Sequence, residues 1–282
     1  MFKYIYGLIF TVVYHYSALA YAQDIVYAAG ESDDYYPKLL SQALSYFPEK
    51  NYQVKRYGLS LPKQRSFDLL AKDKGVDVMN GSSTFNRENK YQAIYFPILR
   101  GLKGWRLALI NQNTPELFAN VKTEQQFETK IPVQFHSWTA TKIFENNDIK
   151  VAKAATFKGL FQMLDKNRID YLPRSILEIK HDLTIYPKLN LMIDPYILIK
   201  YPSAFYFYVN KDNHELANDI KQGLEKSLAD GSFERLFNEA FGDEIASFNL
   251  KKRQVFYLNN PYLSATVPLH RTELWADHLF RN

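Results

Sequence analysis

The sequence predicts an α/β protein of two lobes, each a βαβαβ unit, joined by a hinge of two crossing strands. Short apolar runs alternate with amphipathic helical stretches over residues 25–79, and the same alternation returns over 131–172. Phe96-Pro97-Ile98-Leu99-Arg100-Gly101 leads from the first unit towards the second, and a return crossing falls near 201–204. Between unit and crossing lies Asp77-Val-Met-Asn-Gly-Ser-Ser-Thr-Phe-Asn-Arg-Glu88, an apolar strand that breaks at Gly81 into three hydroxyl residues and Arg87. Open α/β sheets bind ligands at such carboxyl ends of strands. The expected division is residues 23–102 with 204–282 for one lobe and 103–203 for the other. Two linkers permit hinge closure around a ligand.

The elements follow in order. Ile25–Ala28 is a strand, Gly30–Tyr36 a polar loop, and Pro37 stands in the first turn of a helix, where its missing N–H costs nothing. Tyr36, Leu39, Leu40, Ala43, Leu44 and Phe47 form that helix's apolar stripe. Tyr52–Tyr57 is a strand, Gln64–Lys72 a helix stopped by Gly75, and Val76–Met79 the third strand. Trp105–Ile110 is a strand, and Thr114–Thr129 is polar and partly helical. The second unit comprises strands at Ile131–Phe135, Asp148–Ala152 and Ile169–Leu172, with helices at Thr139–Asn146 and Phe157–Lys166. Arg174–His181 reads as helical turns, and Asn190–Ile193 and Ala204–Val209 as strands. Helices follow at His214–Leu228, ended by Gly231, and Phe233–Phe241, ended by Gly242. The aromatic- and proline-rich tail from Gln254 is expected to strap over the first lobe, anchored by Trp275 and Phe280.

Composition narrows the function. A chain of 282 residues with 46% apolar and 23% charged residues has a globular balance. Residues 1–22 read as a cleaved signal peptide, with Lys3, an apolar Ile5–Val13 and a small-x-small Ala20-Tyr21-Ala22 before Gln23. Tyr and His interrupt this stretch, and it is short for a membrane span, although an uncleaved anchor is the alternative. An exported, periplasmic chain follows, without a lipid anchor because no cysteine follows the cut. The absence of cysteine also excludes disulfides, thiol chemistry and Cys-based metal sites. A net charge of +5, spread along the chain, argues against a nucleic-acid surface and mildly favours an anionic ligand.

The order of elements, together with Asp77-Val-Met-Asn-Gly, Asn86-Arg87-Glu88, Phe96-Pro97-Ile98, Gly159-Leu-Phe-Gln-Met-Leu164 and Ala229-Asp-Gly-Ser-Phe233, resembles the type II periplasmic solute-binding proteins. The likeness is to the extracellular solute-binding family 3, which includes the polar amino-acid binders, and it covers about residues 24–282. It implies the two-lobed type II periplasmic binding fold. It also implies that Arg87 grips a carboxylate, helped by the helix start at His136-Ser137-Trp138-Thr139. Where the family places an acidic residue for an ammonium group, this chain reads Tyr171-Leu172-Pro173-Arg174. That departure points away from a standard free amino acid.

Each candidate has a plainer reading. Arg87 suits bidentate anion binding, or it pairs with Glu88. Ser82 and Ser83 offer donors to a ligand, or belong with Thr84 to a capping cluster. Ser137, Trp138 and Thr139 open a helix whose free N–H groups favour anions, or Ser137 is a plain cap with Trp138 in the core. Arg174 meets the ligand, or pairs with Glu178 four residues on. Tyr35 packs over the ligand, with Asp33 able to hold a cation, or these residues serve core and helix start. Trp105 lines the cleft floor beside Arg106, or packs in the core.

No G-x-S-x-G or H-E-x-x-H occurs, and no histidine pair has metal-ligand spacing. The expectation is therefore no catalysis, metal or cofactor. The reading is a monomeric binding protein that holds a small anionic or carboxylate-bearing ligand between Arg87 and Arg174. It would present that ligand to a membrane transporter, such as an ABC permease, or to a membrane sensor. The alternative is a dehydratase-like enzyme on the same scaffold.

Overall fold

The computed structural model describes residues 22–28, 34–59 and 61–279. The expected signal peptide, Asp33 and the Phe280 anchor lie outside these. The first lobe opens with β1 (Gln23–Tyr27), α1 (Tyr35–Leu44), β2 (Tyr52–Arg56), α2 (Lys63–Ala71), β3 (Met79–Ser82), α3 (Phe85–Lys90) and β4 (Gln92–Ala93). The chain crosses into β5 (Trp105–Asn111), α4 (Glu124–Glu128), β6 (Val133–Phe135), α5 (Thr139–Glu145), β7 (Ala152–Ala154), α6 (Phe157–Asp165), β8 (Leu172–Ser175) and α7 (Ile179–Ile185). Strands β9 (Leu191–Ile193) and β10 (Ile197–Lys200) complete this lobe before β11 (Phe205–Val209) returns to the first. Helices α8 (His214–Ala229) and α9 (Ser232–Ser247), strand β12 (Gln254–Tyr257) and α10 (Ala276–Leu279) close the chain.

The lobes repeat one topology. In the first, β1 and β2 pair in parallel and a Tyr27–Val78 bridge leads to β3, which runs antiparallel to β11. In the second, β6 and β7 pair in parallel and a Pro132–Tyr171 bridge leads to β8, antiparallel to β5. Each sheet is therefore completed by the strand that has just crossed over. This repeat moves both third strands from their expected places. The apolar runs Val76–Met79 and Ile169–Leu172 are the lead-ins, and the ladders form at Met-Asn-Gly-Ser and Leu-Pro-Arg-Ser. Gly81 accordingly lies within a strand, opposite Tyr206.

Apolar patterning accounts for the core. The α1 stripe buries Tyr36, Leu39, Leu40, Ala43 and Leu44, each large aliphatic side chain contributing roughly 1.5–3 kcal/mol. Helix α8 buries Leu216, Ile220 and Leu224, and meets α1 so closely that a Cβ on Gly223 would lie 1.9 Å from the Ala43 carbonyl oxygen. Helix α9 does not stop at Gly242. It runs on to Ser247 because Phe237 and Ile245, on either side of the glycine, are both buried. A Cβ at Gly242 would make only an ordinary 3.7 Å contact with Asn238. Gly242→Ala is therefore expected to stabilise the protein by about 0.5–1 kcal/mol, measured by urea unfolding.

The tail does more than strap the first lobe. Strand β12 pairs in parallel with β10 on the second lobe's sheet. The chain then returns: Thr266 donates to Glu88 at 2.7 Å, and Arg271 forms a forked pair with Glu225. Trp275 packs where a Cβ on Gly101 would stand 2.7 Å away. An edge strand needs a partner, and the open side of β10 provides one. The two hinge crossings lie side by side, with Tyr201 donating its N–H to the Gly104 carbonyl at 3.1 Å. Among the described residues no helix is long and apolar enough to cross a membrane.

Candidate functional site

A cleft of about 670 Å³ lies between the carboxyl ends of β3 and β8. Helix α2 supplies Lys63, Gln64 and Phe67, and the β3–α3 turn supplies Ser82, Ser83 and Arg87. The crossings contribute Lys103, Arg106, Tyr201 and Phe205. The second lobe adds Ser137, Trp138, Thr139, Arg174 and Glu178, and the tail brings Asn260 and Tyr262. The sequence placed seven of these side chains here: Arg87, Arg174, Ser82, Ser83, Ser137, Trp138 and Thr139.

Local structure sets Arg87. Thr84 caps α3 by accepting from the Arg87 N–H at 3.3 Å, which fixes where the side chain leaves the helix. The guanidinium turns back to donate Nη1 to the Ser82 carbonyl and lies over Phe67, 4.9 Å from the ring centroid. Gly81 makes room beneath, since a Cβ there would come within 3.2 Å of Arg87 Cδ. Arg87 has no ion pair with Glu88. That buried carboxylate accepts instead from Ser83 Oγ at 2.5 Å and Thr266 Oγ1 at 2.7 Å. The Ser83 hydroxyl therefore holds the turn together while facing the cleft.

Arg174 does not stand as an open grip. It is 7% exposed, and burial lowers its pKa while the hydrogen bond it donates to Asp182 pushes it back up. Its Nε donates to Asp182 at 2.5 Å and Nη2 lies 3.1 Å from Glu178. The ring centroids of Trp138 and Phe157 lie 4.9 and 5.4 Å from its guanidinium carbon. A guanidinium this deep needs counter-charge, and helix α7 supplies it.

Lys63 and Lys103 carry no expectation from the sequence, and Arg106, expected only as the neighbour of Trp105, reaches the cleft itself. It is 8% exposed, donates Nε to the Tyr201 hydroxyl at 2.9 Å, and has no ion pair among the described residues. Trp105, its expected companion in the cleft, takes the other face of β5. There it packs under Lys200, 3.5 Å from the ring centroid, and lines a separate cavity behind the hinge with Trp275. Successive strand residues point oppositely, so only one of the pair reaches the cleft. Tyr35 is likewise displaced. Its hydroxyl donates to the Ile98 carbonyl at 2.7 Å and its ring packs against Phe237 and Phe241. Tyr36 stacks on Phe205 instead and borders a cavity that adjoins the cleft.

Trp138 stands at the N-cap of α5 without a side-chain cap, so the first N–H groups of that helix have no intrahelical partner. Ser137 and Thr139 are exposed beside it. The lining among the described residues holds five basic side chains, Lys63, Arg87, Lys103, Arg106 and Arg174, against one carboxylate, Glu178. Glu178 is itself bound to Lys103 and Arg174. Described residues contain no group of three His, Asp or Glu side chains suited to a metal.

No protein-family model matches the sequence, and no curated protein matches it. Solved structures do match in fold. A probable amino-acid ABC transporter extracellular-binding protein from Bacillus subtilis superposes with a TM-score of 0.59 at 18% identity, over 79% of this chain and 99% of that one. A chain reported for glutathione import in Streptococcus mutans gives 0.53 at 15% identity, covering 78% of this chain and 95% of that one. An amino-acid ABC transporter substrate-binding protein from Streptococcus pneumoniae, bound to L-arginine, gives 0.52 at 13% identity, over 78% and 94%. The chain has the two-lobed type II periplasmic binding fold.

Proposed function

We propose that this chain is a periplasmic solute-binding protein of the family 3 kind, which captures a small anionic or carboxylate-bearing ligand in its interlobe cleft. The observation that carries the reading is the cleft's charge, which among the described residues is five basic side chains and one already paired carboxylate. Arg87 from the first lobe and Arg106 beside the hinge hold the anion, with the α5 start as a further donor. Phe67, Trp138 and Tyr262 wall its less polar part. Closure takes these groups out of water, which strengthens each charge-assisted hydrogen bond. The protein acts as a monomer and hands the ligand to an ABC permease or reports it to a membrane sensor. Its structural neighbours are binding proteins of amino-acid transport, which supports a role in capture rather than turnover.

A thermal-shift screen of the purified protein against carboxylates, amino acids, short peptides, sugar acids and phosphates, with amines and neutral sugars beside them, tests this. A ligand at a hundred times its dissociation constant adds about 2.7 kcal/mol of stability. The expected result is a rise in melting temperature with organic anions. A rise confined to cations or neutral sugars would reject the anionic cleft.

A further inference from the structure

We infer that the ligand is an organic dianion without an ammonium group, and that Arg106 is the side chain that selects it. This rests on the binding reading above. A guanidinium removed from water is ordinarily matched by a carboxylate. Arg174, one strand away and equally buried, has Asp182 and Glu178. Among the described residues Arg106 has only Tyr201, whose hydroxyl accepts from Nε and whose ring centroid lies 5.5 Å from the guanidinium carbon, which leaves the donors at Nη1 and Nη2 to whatever occupies the cleft. Arg100, the other deeply buried arginine without an ion pair, lies over the rings of Phe233 and Phe237 and does not line the cleft. Arg106 is thus a buried cation with no counter-charge among the described residues, and it lines the ligand space.

Arg87 sets a second anionic position on the opposite lobe, because its Nη1 is anchored to a carbonyl rather than to a carboxylate. One negative group for each arginine makes a dianion. An ammonium group is disfavoured by the same lining. Glu178 is the sole carboxylate there among the described residues, and Lys103 and Arg174 both hold it. Among the described residues an α-ammonium would meet cations and no unpaired carboxylate to accept from it. Removing that group from the ligand removes the conflict and leaves both anionic contacts in place.

Matched ligand pairs and one substitution test this by titration calorimetry on the purified protein. Glutarate and L-glutamate differ only by the ammonium group; glutarate and butyrate differ by one carboxylate; phthalate and benzoate repeat the second comparison on an aromatic body. Glutarate or phthalate is expected to bind at least about tenfold more tightly than its monoanion and than L-glutamate. Arg106→Met should weaken the dianion at least about 30-fold. It should also raise the ligand-free melting temperature by about 2–4 °C, because an unpaired buried charge has been replaced by an apolar chain of similar length. A merely structural arginine would lower that temperature instead. L-glutamate or L-arginine binding as tightly as the dianions would overturn the inference while leaving the solute-binding reading intact. So would unchanged dianion affinity in the Arg106→Met protein. Absence of binding by dianions and amino acids alike would remove both.

Discussion

Gly104→Ala is expected to destabilise the protein by at least about 3 kcal/mol, because the new methyl group has no space and nothing soft to displace. An ideal Cβ at position 104 would lie 2.0 Å from the Tyr201 carbonyl oxygen and 3.0 Å from Ser203 Cβ. The obstacle is backbone of the other crossing, held by the bond from the Tyr201 N–H to the Gly104 carbonyl. Relief requires the crossings to part, which breaks that bond and disturbs the pairing of Trp105 with Lys200 just beyond it. For a chain of this size the loss corresponds to roughly 6–12 °C in melting temperature. Urea and thermal unfolding measure it directly. A melting temperature within 2 °C of the parent, on the order of measurement error for such shifts, would show that the crossings are not locked together. The contrast with Gly242→Ala is informative, since glycine is replaced in both and only the surroundings differ.

Arg87→Ala should weaken the ligand identified by the screen by about 2–5 kcal/mol, or about 30- to 5,000-fold. The substitution leaves Phe67 and the Ser82 carbonyl in place but removes the one arginine that the first lobe places in the cleft among the described residues. Arg87→Lys should recover part of the loss, because an ammonium keeps the charge without the planar fork. Calorimetric affinity within threefold of the parent for Arg87→Ala would place the anion elsewhere. Arg174→Ala differs in kind. It strands the buried Asp182, while Glu178 keeps Lys103, so its first effect falls on folding rather than on binding.

Much of this molecule is legible in its sequence, and the exceptions have physical causes. Helical stripes on α1, α6 and α8 show a 3.6-residue repeat because each helix has one wet face. Strand β5 alternates in bulk but is buried on both faces, so its pattern does not say which of Trp105 and Arg106 faces the cleft. The third strands were placed too early because their paired residues are polar where they open onto the cleft. Arg174 read as a ligand contact because its position could be inferred but not its partner Asp182, eight residues on across a turn. Tyr35 and Tyr36 differ by about 100° around α1, a smaller angle than composition resolves. Strands β10 and β12 complete each other over four residues and carry no local pattern of their own.

The tail strand has a consequence for the energetics of closing. Because α9 belongs with the first lobe, the passage from Ser247 to Gln254 is a third covalent link between the lobes, and the run from Leu258 to Thr266 is a fourth. Two adjacent crossings alone define an axle about which the lobes swing freely. The fourth link runs beside that axle, where Asn260 donates to the Pro202 carbonyl at 2.8 Å and Trp275 packs on Gly101, so turning the axle must also move the strap. Fewer open arrangements then compete with the closed one, so less rotational entropy is surrendered when the ligand arrives. If the cleft binds as proposed, the tail would raise affinity for every ligand alike and leave discrimination among them to the side chains in the cleft.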